Sequence, residues 1–271
     1  MKPMMNEDTI IELAVKSLIH EASLYPKPGL VDPIDCGSHD DMDYYTFIDS
    51  SFALTPGFRK YYQAGQLHSG SPRELFNKIR TIGIANEKSM FQATGNINTH
   101  KGANFLYGLV ISAMAYGENP TLKELRQLIK EMTKGLVEEE LSSLKTFYTH
   151  GEKVYQKYGF TGIRGEVEAG IPLVFEHALP ILDKFGRTEE GLKKALLELI
   201  RYNNDSNMLK RGGIEGLNYG KAFAGKAYEN INQHLLAMNE SFVQRNLNPG
   251  GSADLLALSI FLKSYEEKIE K

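Results

Sequence analysis

The sequence predicts an all-α fold, and three observations support that prediction. Apolar residues recur with helical spacing along much of the chain, and no run of alternating β-branched residues bounded by a two-residue glycine turn occurs. The 25 glycines cluster between the periodic segments, because glycine is unfavourable inside helices. The 271 residues contain no internal repeat or linker, so we expect one domain, residues 1–271, of about ten helices.

Four segments carry the clearest helical periodicity. They run from Ile10 to Ile19, from Leu122 to Met132, from Leu192 to Ile200 and from Ala253 to Ile269. Start signals precede three of them: a capping region at Asp8–Thr9, the pair Pro120–Thr121, and Pro249-Gly250-Gly251 followed by Ser252 or Asp254 as the cap. These signals predict where the chain leaves each junction and enters a helix.

The composition excludes several classes of protein. Lys and Arg total 31 and Asp and Glu total 34, so binding to nucleic acid through bulk positive charge is not expected. Cys36 is the single cysteine, which excludes an intrachain disulfide and suits a reducing cytoplasm. Met1 to Asp8 has no apolar core of a secretory signal, and Phe105 to Tyr116 is too short to span a membrane. We expect a cytoplasmic protein without nucleic-acid or membrane partners.

Five glycine-rich junctions concentrate polar and charged residues at places where backbone would be open to a ligand. The first, residues 25–32, holds Lys27 between two prolines, which fix where its ammonium projects. A rigid turn with a solvated lysine is the alternative.

The second junction, residues 35–43, lies in an acidic stretch. No Lys or Arg stands between Lys27 and Arg59, whereas six aspartates do: Asp32, Asp35, Asp40, Asp41, Asp43 and Asp49. Clustered carboxylates resist ionisation unless a cation intervenes, and such oxygen ligands suit Mg²⁺. Capping by Ser38, Asp40 or Asp41 of a helix that begins near Met42 is a compatible alternative.

The third junction, residues 94–103, places His100 and Lys101 directly before an apolar helix. Free N–H groups at a helix start beside a lysine form a phosphate site, although the spacing is not that of a Walker A loop. A capped turn is the alternative. The fourth junction, residues 161–170, sets Arg164 between glycines, where its guanidinium can approach a phosphate. Simple pairing with Glu168 is the alternative there.

The fifth junction comes in two pieces, residues 203–213 and residues 246–254. The first piece contains Asp205 and Arg211, and the second contains Asp254, for which a helix-start charge is the alternative reading. Together the junctions indicate a helical enzyme that binds a polyanion and a divalent ion. The basic residues expected to bind the polyanion are Lys27, Lys101, Arg164 and Arg211. ATP or a related nucleotide is the most economical expectation.

Six motifs in these junctions occur in the same order as in a known protein family. They are Pro-Lys-Pro-Gly-Leu-Val-Asp, Gly-x-His-x-Asp-Met, Asn-Thr-His-Lys-Gly, Gly-x-Arg-Gly-Glu-x-Glu-x-Gly-x-Pro, Asp-x-Asn followed by Arg-Gly-Gly, and Asn-Leu-x-Pro-Gly-Gly-Ser-Ala-Asp-Leu-Leu. With them the chain resembles the triphosphoribosyl-dephospho-CoA synthase family from about Glu12 to Leu262. Three positions depart from the family pattern: Pro33 and Gln92 stand where arginines are expected, and Ser206 stands for threonine.

The resemblance implies an all-helical fold, a requirement for Mg²⁺ and a specific reaction. ATP and 3′-dephospho-CoA would give 2′-(5″-triphosphoribosyl)-3′-dephospho-CoA and free adenine. That product is the precursor of the prosthetic group of citrate lyase or malonate decarboxylase, and would pass to a transferase that acts on the acyl carrier protein. A homodimer is left open.

The resemblance also implies site residues. The substrate-binding set is Lys27, Asn98, Thr99, Lys101, Arg164, Asn207, Arg211, Gly250 and Ser252, and the metal-binding set is Asp41, Asp205 and Asp254. As a hypothesis for the chemistry, Glu166 is the base, with Asp205 as the alternative. His39 or His100 would give the departing adenine its proton.

Two other functions are compatible with the sequence. His39-Asp40 is an adjacent His-Asp pair of the kind found in HD-type metal-dependent phosphohydrolases, with His20, His100 and Asp205 as further ligands. Released phosphate would indicate that enzyme, and released adenine the synthase. A non-catalytic nucleotide-binding protein would bind ATP without releasing adenine.

Overall fold

The computed structural model describes residues 5–269, with His150 described by its backbone only, and every regular element in that range is helical. The all-α prediction is confirmed. Residues 1–4 and 270–271, the ends of the predicted domain, lie outside the described residues, as does the first half of the segment considered above for a secretory signal. No helix in the described range has both the length and the apolar composition needed to cross a bilayer.

Thirteen α-helices follow one another in residues 5–269, slightly more than the number expected. They are α1 Glu7–Ser23, α2 Tyr44–Ala53, α3 Thr55–Gln66, α4 Pro72–Ala93, α5 Lys101–Tyr116, α6 Leu122–Thr133, α7 His150–Tyr158, α8 Gly162–Glu168, α9 Leu179–Phe185, α10 Glu189–Tyr202, α11 Ser206–Ala224, α12 Ile231–Gln244 and α13 Gly250–Ile269. Two short π-helical segments, Glu138–Ser142 and Leu173–Ala178, precede α7 and α9.

Helix α5 is the centre of the core, because almost all its side chains are apolar and buried. Tyr107 of α5 stacks between Phe58 of α3 and Phe261 of α13, with 5.3 Å between ring centroids on each side. Its hydroxyl lies 2.5 Å from Ser17 Oγ of α1. Such aromatic pairs contribute about 0.5–1.5 kcal/mol beyond their burial. One hydrophobic cluster connects these helices to α10 and α12, which supports the prediction of a single domain.

The helix starts differ from the sequence prediction in three places. Helix α1 begins at Glu7, because Asn6 rather than Asp8 or Thr9 accepts the capping hydrogen bond, from Thr9 N at 2.9 Å. Helix α2 begins at Tyr44, because Asp43 forms a capping box with Thr46 and the earlier candidates stay in the loop. Helix α13 begins at Gly250, before both predicted caps.

Candidate active site

All five junctions contribute residues to one cleft of about 910 Å³. The first junction contributes Leu30 and Val31, and the second contributes His39 and Asp41. The third contributes residues 98–102 and the fourth residues 161–166. The fifth contributes several residues from each of its two pieces, within 203–211 and 248–254. Segments as far apart in the chain as residues 30 and 254 therefore meet in space.

Three long helices begin at the wall of this cleft. Lys101 and Gly102 open α5, Ser206 and Asn207 open α11, and Gly250 and Gly251 open α13. The first N–H groups of a helix have no partner within that helix and carry partial positive charge, so helix starts attract anions. Some of these N–H groups already have acceptors, Asp205 for α11 and α13 and Asn98 for α5. The partial positive charge of three helix starts at one cleft still favours a polyphosphate there.

Most of the predicted site residues line the cleft. Those that do are His39, Asp41, Asn98, Thr99, His100, Lys101, Arg164, Glu166, Asn207, Arg211, Gly250 and Asp254. Lys27, Asp205 and Ser252 do not reach its surface. Each of these three is buried and has a partner inside the protein.

The structure corrects the role predicted for Lys27. Its side chain is 2% exposed, and its Nζ donates to Glu21 Oε1 at 2.7 Å. The backbone N–H of Lys27 donates to Asp32 Oδ2 at 3.2 Å. The two prolines do fix the ammonium in place, as expected, but they direct it to a buried carboxylate and not to the cleft. Lys27 thus neutralises Glu21, which itself lines the cleft.

Asp205 is engaged as a helix cap and as a clamp between two helices. Its Oδ1 accepts from Asn207 N at 2.9 Å and from Met208 N at 3.4 Å, at the start of α11. Its Oδ2 accepts from Ser252 N at 2.8 Å and from Ser252 Oγ at 3.1 Å, in the first turn of α13. Burial raises the pKa of Asp205, although these hydrogen bonds oppose the rise. Both oxygens are occupied, so the expectations of Asp205 as base and metal ligand do not fit this geometry.

Asp254 is partly buried and lines the cleft from the first turns of α13. Burial raises its pKa well above the ordinary value, and the charges of Glu21 and Asp205 raise it further. Gly102 of α5 passes close by: a Cβ at that position would lie 2.1 Å from Asp254 Oδ2. Only a residue without a side chain lets the start of α5 approach this carboxyl group so closely.

The predicted ligands Asp41, Asp205 and Asp254 do not form a metal-binding group. Among the described residues no three or more His, Cys, Asp or Glu side chains are arranged to hold a metal ion. Asp205 is occupied as described, and the half-exposed Asp41 lies 3.5 Å from His39 Nδ1. The same finding removes the HD-type site, because His39, Asp40 and their proposed partners do not gather around one point.

Glu166 has the environment of a general base. It lies in α8, lines the cleft and accepts from Leu173 N through Oε1 at 2.7 Å. Burial raises its pKa to about 7, and the hydrogen bond from Leu173 opposes this rise. A carboxyl group with such a pKa can both take and hold a proton near neutral pH.

His39 and His100, the two predicted histidines that line the cleft, both have a lowered pKa. Burial lowers the pKa of His100 to about 3, so this ring is neutral at physiological pH and cannot supply an acidic proton. Thr99 Oγ1 donates to Ser50 Oγ at 2.6 Å, and Ser50 Oγ lies 2.7 Å from His100 Nδ1. These hydrogen bonds hold the imidazole ring in place through its Nδ1 side. His100 Nε2 is buried and has no hydrogen-bond partner among the described residues.

His39 is held by residues from the fifth junction. Arg211 approaches its Nδ1 at 3.3 Å and Asn248 approaches its Nε2. Burial lowers the pKa of His39, as does the Arg211 charge, while Asp41 opposes the shift. Arg211 also donates to Ser38 O and to Asn246 Oδ1, so it joins the second and fifth junctions as well as lining the cleft.

Two further cations that line the cleft, Lys101 and Arg164, have acidic partners. Lys101 Nζ lies 2.7 Å from Glu87, and Arg164 Nε lies 2.7 Å from Glu140. Arg164 therefore pairs with Glu140 and not with Glu168, whose carboxylate accepts from the backbone N–H groups of Gly135 and Val137. These ion pairs are partly exposed, so a bound phosphate can compete for the cations.

Sequence reasoning missed Glu21 and Asn248. Glu21 falls on the buried face of α1 with Ala14 and Leu18, and a charged residue on an apolar helical stripe is the signal that could have revealed it. Asn248 lies in the fifth junction and lines the cleft, and its Oδ1 is buried without a partner among the described residues. Its sequence context gives no comparable signal.

Comparisons with known proteins identify the family of the chain. The chain matches the family model described as ATP:dephospho-CoA triphosphoribosyl transferase over residues 7–271. It is 40% identical to the protein of Pectobacterium atrosepticum named 2-(5''-triphosphoribosyl)-3'-dephosphocoenzyme-A synthase, over 92% of this chain and 86% of that protein. A protein of Streptococcus equi subsp. equi, named "Probable 2-(5''-triphosphoribosyl)-3'-dephosphocoenzyme-A synthase", is 38% identical over 97% of this chain and 98% of its own length.

No solved structure matches the chain. The family model covers nearly the whole chain, and the relatives are aligned over most of their own lengths. The chain belongs to the ATP:dephospho-CoA triphosphoribosyl transferase family.

Proposed function

We propose that this protein transfers the triphosphoribosyl group of ATP to the 2′-hydroxyl of 3′-dephospho-CoA and releases adenine. The observation that carries the proposal is one cleft in which three helix starts suited to a polyphosphate face a carboxyl group, Glu166, with a pKa of about 7. Family membership supports the choice of substrates. The HD-type hydrolase is not favoured, because its metal site does not form among the described residues.

The triphosphate of ATP would lie at the starts of α5, α11 and α13. Lys101 and Arg211 line the cleft beside two of these starts, and their charges complement the phosphates. Asn98, Thr99, Asn207 and Gly250 supply the polar and small lining of the same wall. Lys27 supports the site from inside by neutralising Glu21.

We expect Mg²⁺ to enter with the nucleotide, as part of the substrate. Mg²⁺ keeps several waters and commonly binds through one or two carboxylates together with substrate phosphates, so a cage made only of protein side chains is not required. Asp254 is the predicted ligand that fits this arrangement: it is partly buried at the cleft, and the charges of Glu21 and Asp205 raise its pKa. Bound Mg²⁺ would neutralise phosphate charge.

Glu166 is our candidate for the base. The 2′-oxygen of dephospho-CoA forms a bond to C1′ of the ATP ribose, the C1′–N9 bond to adenine breaks, and the hydroxyl proton passes to Glu166. The centre between the two bonds has oxocarbenium character, as in glycoside hydrolysis. The carboxylate of ionised Glu166 also stabilises that positive charge.

The two histidines take different parts in the departure of adenine. The Nε2 of neutral His100 has no partner among the described residues and would form a hydrogen bond with the substrate. His39 is our candidate for the group that protonates adenine: Asp41, 3.5 Å away, favours its protonated form, against burial and the Arg211 charge, which lower its pKa. A cytoplasmic location, a homodimer and transfer of the product to an acyl carrier protein transferase stay predictions.

The test is to incubate the purified protein with ATP, Mg²⁺ and 3′-dephospho-CoA and to follow adenine by chromatography. We expect adenine only when both nucleotides are present. Inorganic phosphate without adenine would indicate a hydrolase, and ATP binding without either product would indicate a non-catalytic protein. Either result would overturn the proposal.

A further inference from the structure

A second cavity of about 320 Å³ opens beside the cleft. It lies between α4, α5 and the segment that carries Glu140, with α8 at its edge. Lys101, Gly102, Ile163 and Arg164 line both the cleft and this cavity, so the two spaces share a wall. The volume is at the lower end of the range for small-molecule pockets.

The interior of the second cavity is mainly apolar. Phe76, Ile79 and Phe105 form much of its lining, and Ile84 stands at its edge with 73% of its surface exposed. The polar groups in its wall are already satisfied. Tyr61 Oη donates to Asn104 Oδ1 at 3.0 Å, and Asn104 Nδ2 donates to Gly83 O at 3.1 Å. Such a cavity favours an uncharged ligand with apolar groups.

The shared wall, in contrast, is positively charged. Lys101 and Arg164 stand there, each held by an acidic residue of the second cavity, Glu87 and Glu140 respectively. A ligand that passes from the cleft into the second cavity would therefore meet two cations at the crossing. Beyond them lie apolar side chains, with the charged residues Arg80, Glu87 and Glu140 engaged in ion pairs at the wall. This arrangement favours a ligand whose phosphate group lies between one part that binds in the cleft and a second, uncharged part that binds in the apolar cavity.

Dephospho-CoA has this order of groups. Its adenosine carries the reacting 2′-hydroxyl and must lie in the cleft near Glu166, its diphosphate follows, and its pantetheine arm is an uncharged chain of methyl, amide and thiol groups. The triphosphate of ATP has no such arm and would leave its charge in an apolar space, which is costly.

We infer that the second cavity binds the pantetheine arm of dephospho-CoA, with the diphosphate at Arg164 and with Lys101 between this diphosphate and the triphosphate of ATP. This inference rests on the proposed function and adds to it the feature that distinguishes the acceptor nucleotide from ATP. ADP provides the test, because it has the same adenosine and diphosphate but lacks the arm.

The experiment uses the full chain and two variants, Ile84→Trp and Leu67→Trp. The sequence contains no tryptophan, so each introduced indole is the only one in its protein. Leu67 is the matched control, because it is 76% exposed, like Ile84, and does not line either cavity. Dissociation constants for dephospho-CoA and for ADP are measured by calorimetry, and indole emission is recorded during each titration.

We expect the wild-type protein to bind dephospho-CoA at least about tenfold more tightly than ADP, because the arm adds buried apolar contacts. In Ile84→Trp, dephospho-CoA should change the indole emission or lose most of its advantage over ADP, whereas ADP binding stays as in wild type. Leu67→Trp should show neither effect. Equal affinity of the wild-type protein for the two ligands would overturn the inference. So would wild-type affinity of Ile84→Trp for dephospho-CoA without an emission change.

Failure of the proposed function would give a different result. In that case the wild-type protein would release no adenine from ATP and dephospho-CoA, whatever the affinities for dephospho-CoA and ADP. Adenine release together with equal affinities would instead retain the reaction and remove the arm from the second cavity.

Discussion

Three carboxyl groups around the cleft, one buried and two partly buried, differ in what surrounds each of them. Asp205 accepts hydrogen bonds from two helix starts, Asp254 is crowded by other carboxylates, and Glu166 has a single backbone donor and a pKa of about 7. No sequence motif specifies these surroundings. They suit Asp205 to joining two helices, Asp254 to binding a cation and Glu166 to acting as a base. The sequence identified all three residues, but it assigned Asp205 a role that its hydrogen bonds do not permit.

Replacing Glu166 by Gln should slow adenine release by about 10²–10⁴-fold, because the attacking hydroxyl loses its base. ATP binding, measured by calorimetry, should stay close to that of wild type. Glu176→Gln is the matched control, since Glu176 is an exposed partner of Arg126 on the neighbouring segment. Wild-type turnover in Glu166→Gln would remove the residue from the mechanism.

The pH dependence follows from the same carboxyl group. Adenine release should fall as the pH drops below about 7, because Glu166 must be ionised to act as a base. The folded-state pKa is above the ordinary value of 4.5, so wild-type stability should decrease as the pH rises from about 4.5 through about 7.

Glu166→Gln should remove this loss. Relative to wild type, the variant should gain up to about 3 kcal/mol in the free energy of unfolding between pH 4 and pH 8, since one pKa unit corresponds to about 1.4 kcal/mol. Urea unfolding at the two pH values measures the difference. Parallel stability profiles for the two proteins would contradict the raised pKa.

Lys27 gives a prediction about stability rather than binding. Lys27→Met should lower the free energy of unfolding by about 3–5 kcal/mol, because it leaves Glu21 buried without its cation. The double variant Glu21→Gln with Lys27→Met should recover much of this loss. If Lys27→Met kept wild-type stability and only weakened ATP binding, Lys27 would be a phosphate ligand as the sequence suggested.

At the scale of helices, the site depends on how α5, α11 and α13 are joined at their first turns. Asp205 connects the starts of α11 and α13, and Gly102 allows α5 to approach Asp254. The periodic patterns predicted the long helices well, because apolar spacing is a local property of the chain. They could not predict that a cap on one helix would also hold another, because that contact joins residues 205 and 252.

Asp205→Ala should affect both helices at once. We expect the free energy of unfolding to fall by about 1–3 kcal/mol, with a rise in the KM for ATP, because the two helix starts lose a shared acceptor. Ser252→Ala, which keeps the backbone hydrogen bond to Asp205, should have the same effects to a smaller extent. A loss of turnover in Asp205→Ala at unchanged KM and stability would argue for direct participation in the chemistry.

At the scale of the whole molecule, five junctions spread over more than 220 residues of chain meet in one cleft. Their motifs were recognisable from sequence because each carries polar groups between glycines. Sequence did not show which cations face the cleft: Lys101 and Arg164 do, whereas Lys27 turns inward to Glu21. The sequence also gave no sign of the second cavity. Its apolar lining comes from α4 and α5, where these residues have the same helical spacing as residues that pack in a hydrophobic core.

We propose above that adenine on the ATP ribose is replaced by the 2′-oxygen of dephospho-CoA in this cleft, while the triphosphate stays intact. The most direct measurement is the mass of the product formed from dephospho-CoA, together with the amount of adenine released. The account predicts a product heavier than dephospho-CoA by one intact triphosphoribosyl group, with one adenine per product. A product that has gained only phosphate, or adenine released without a change in the mass of dephospho-CoA, would contradict it.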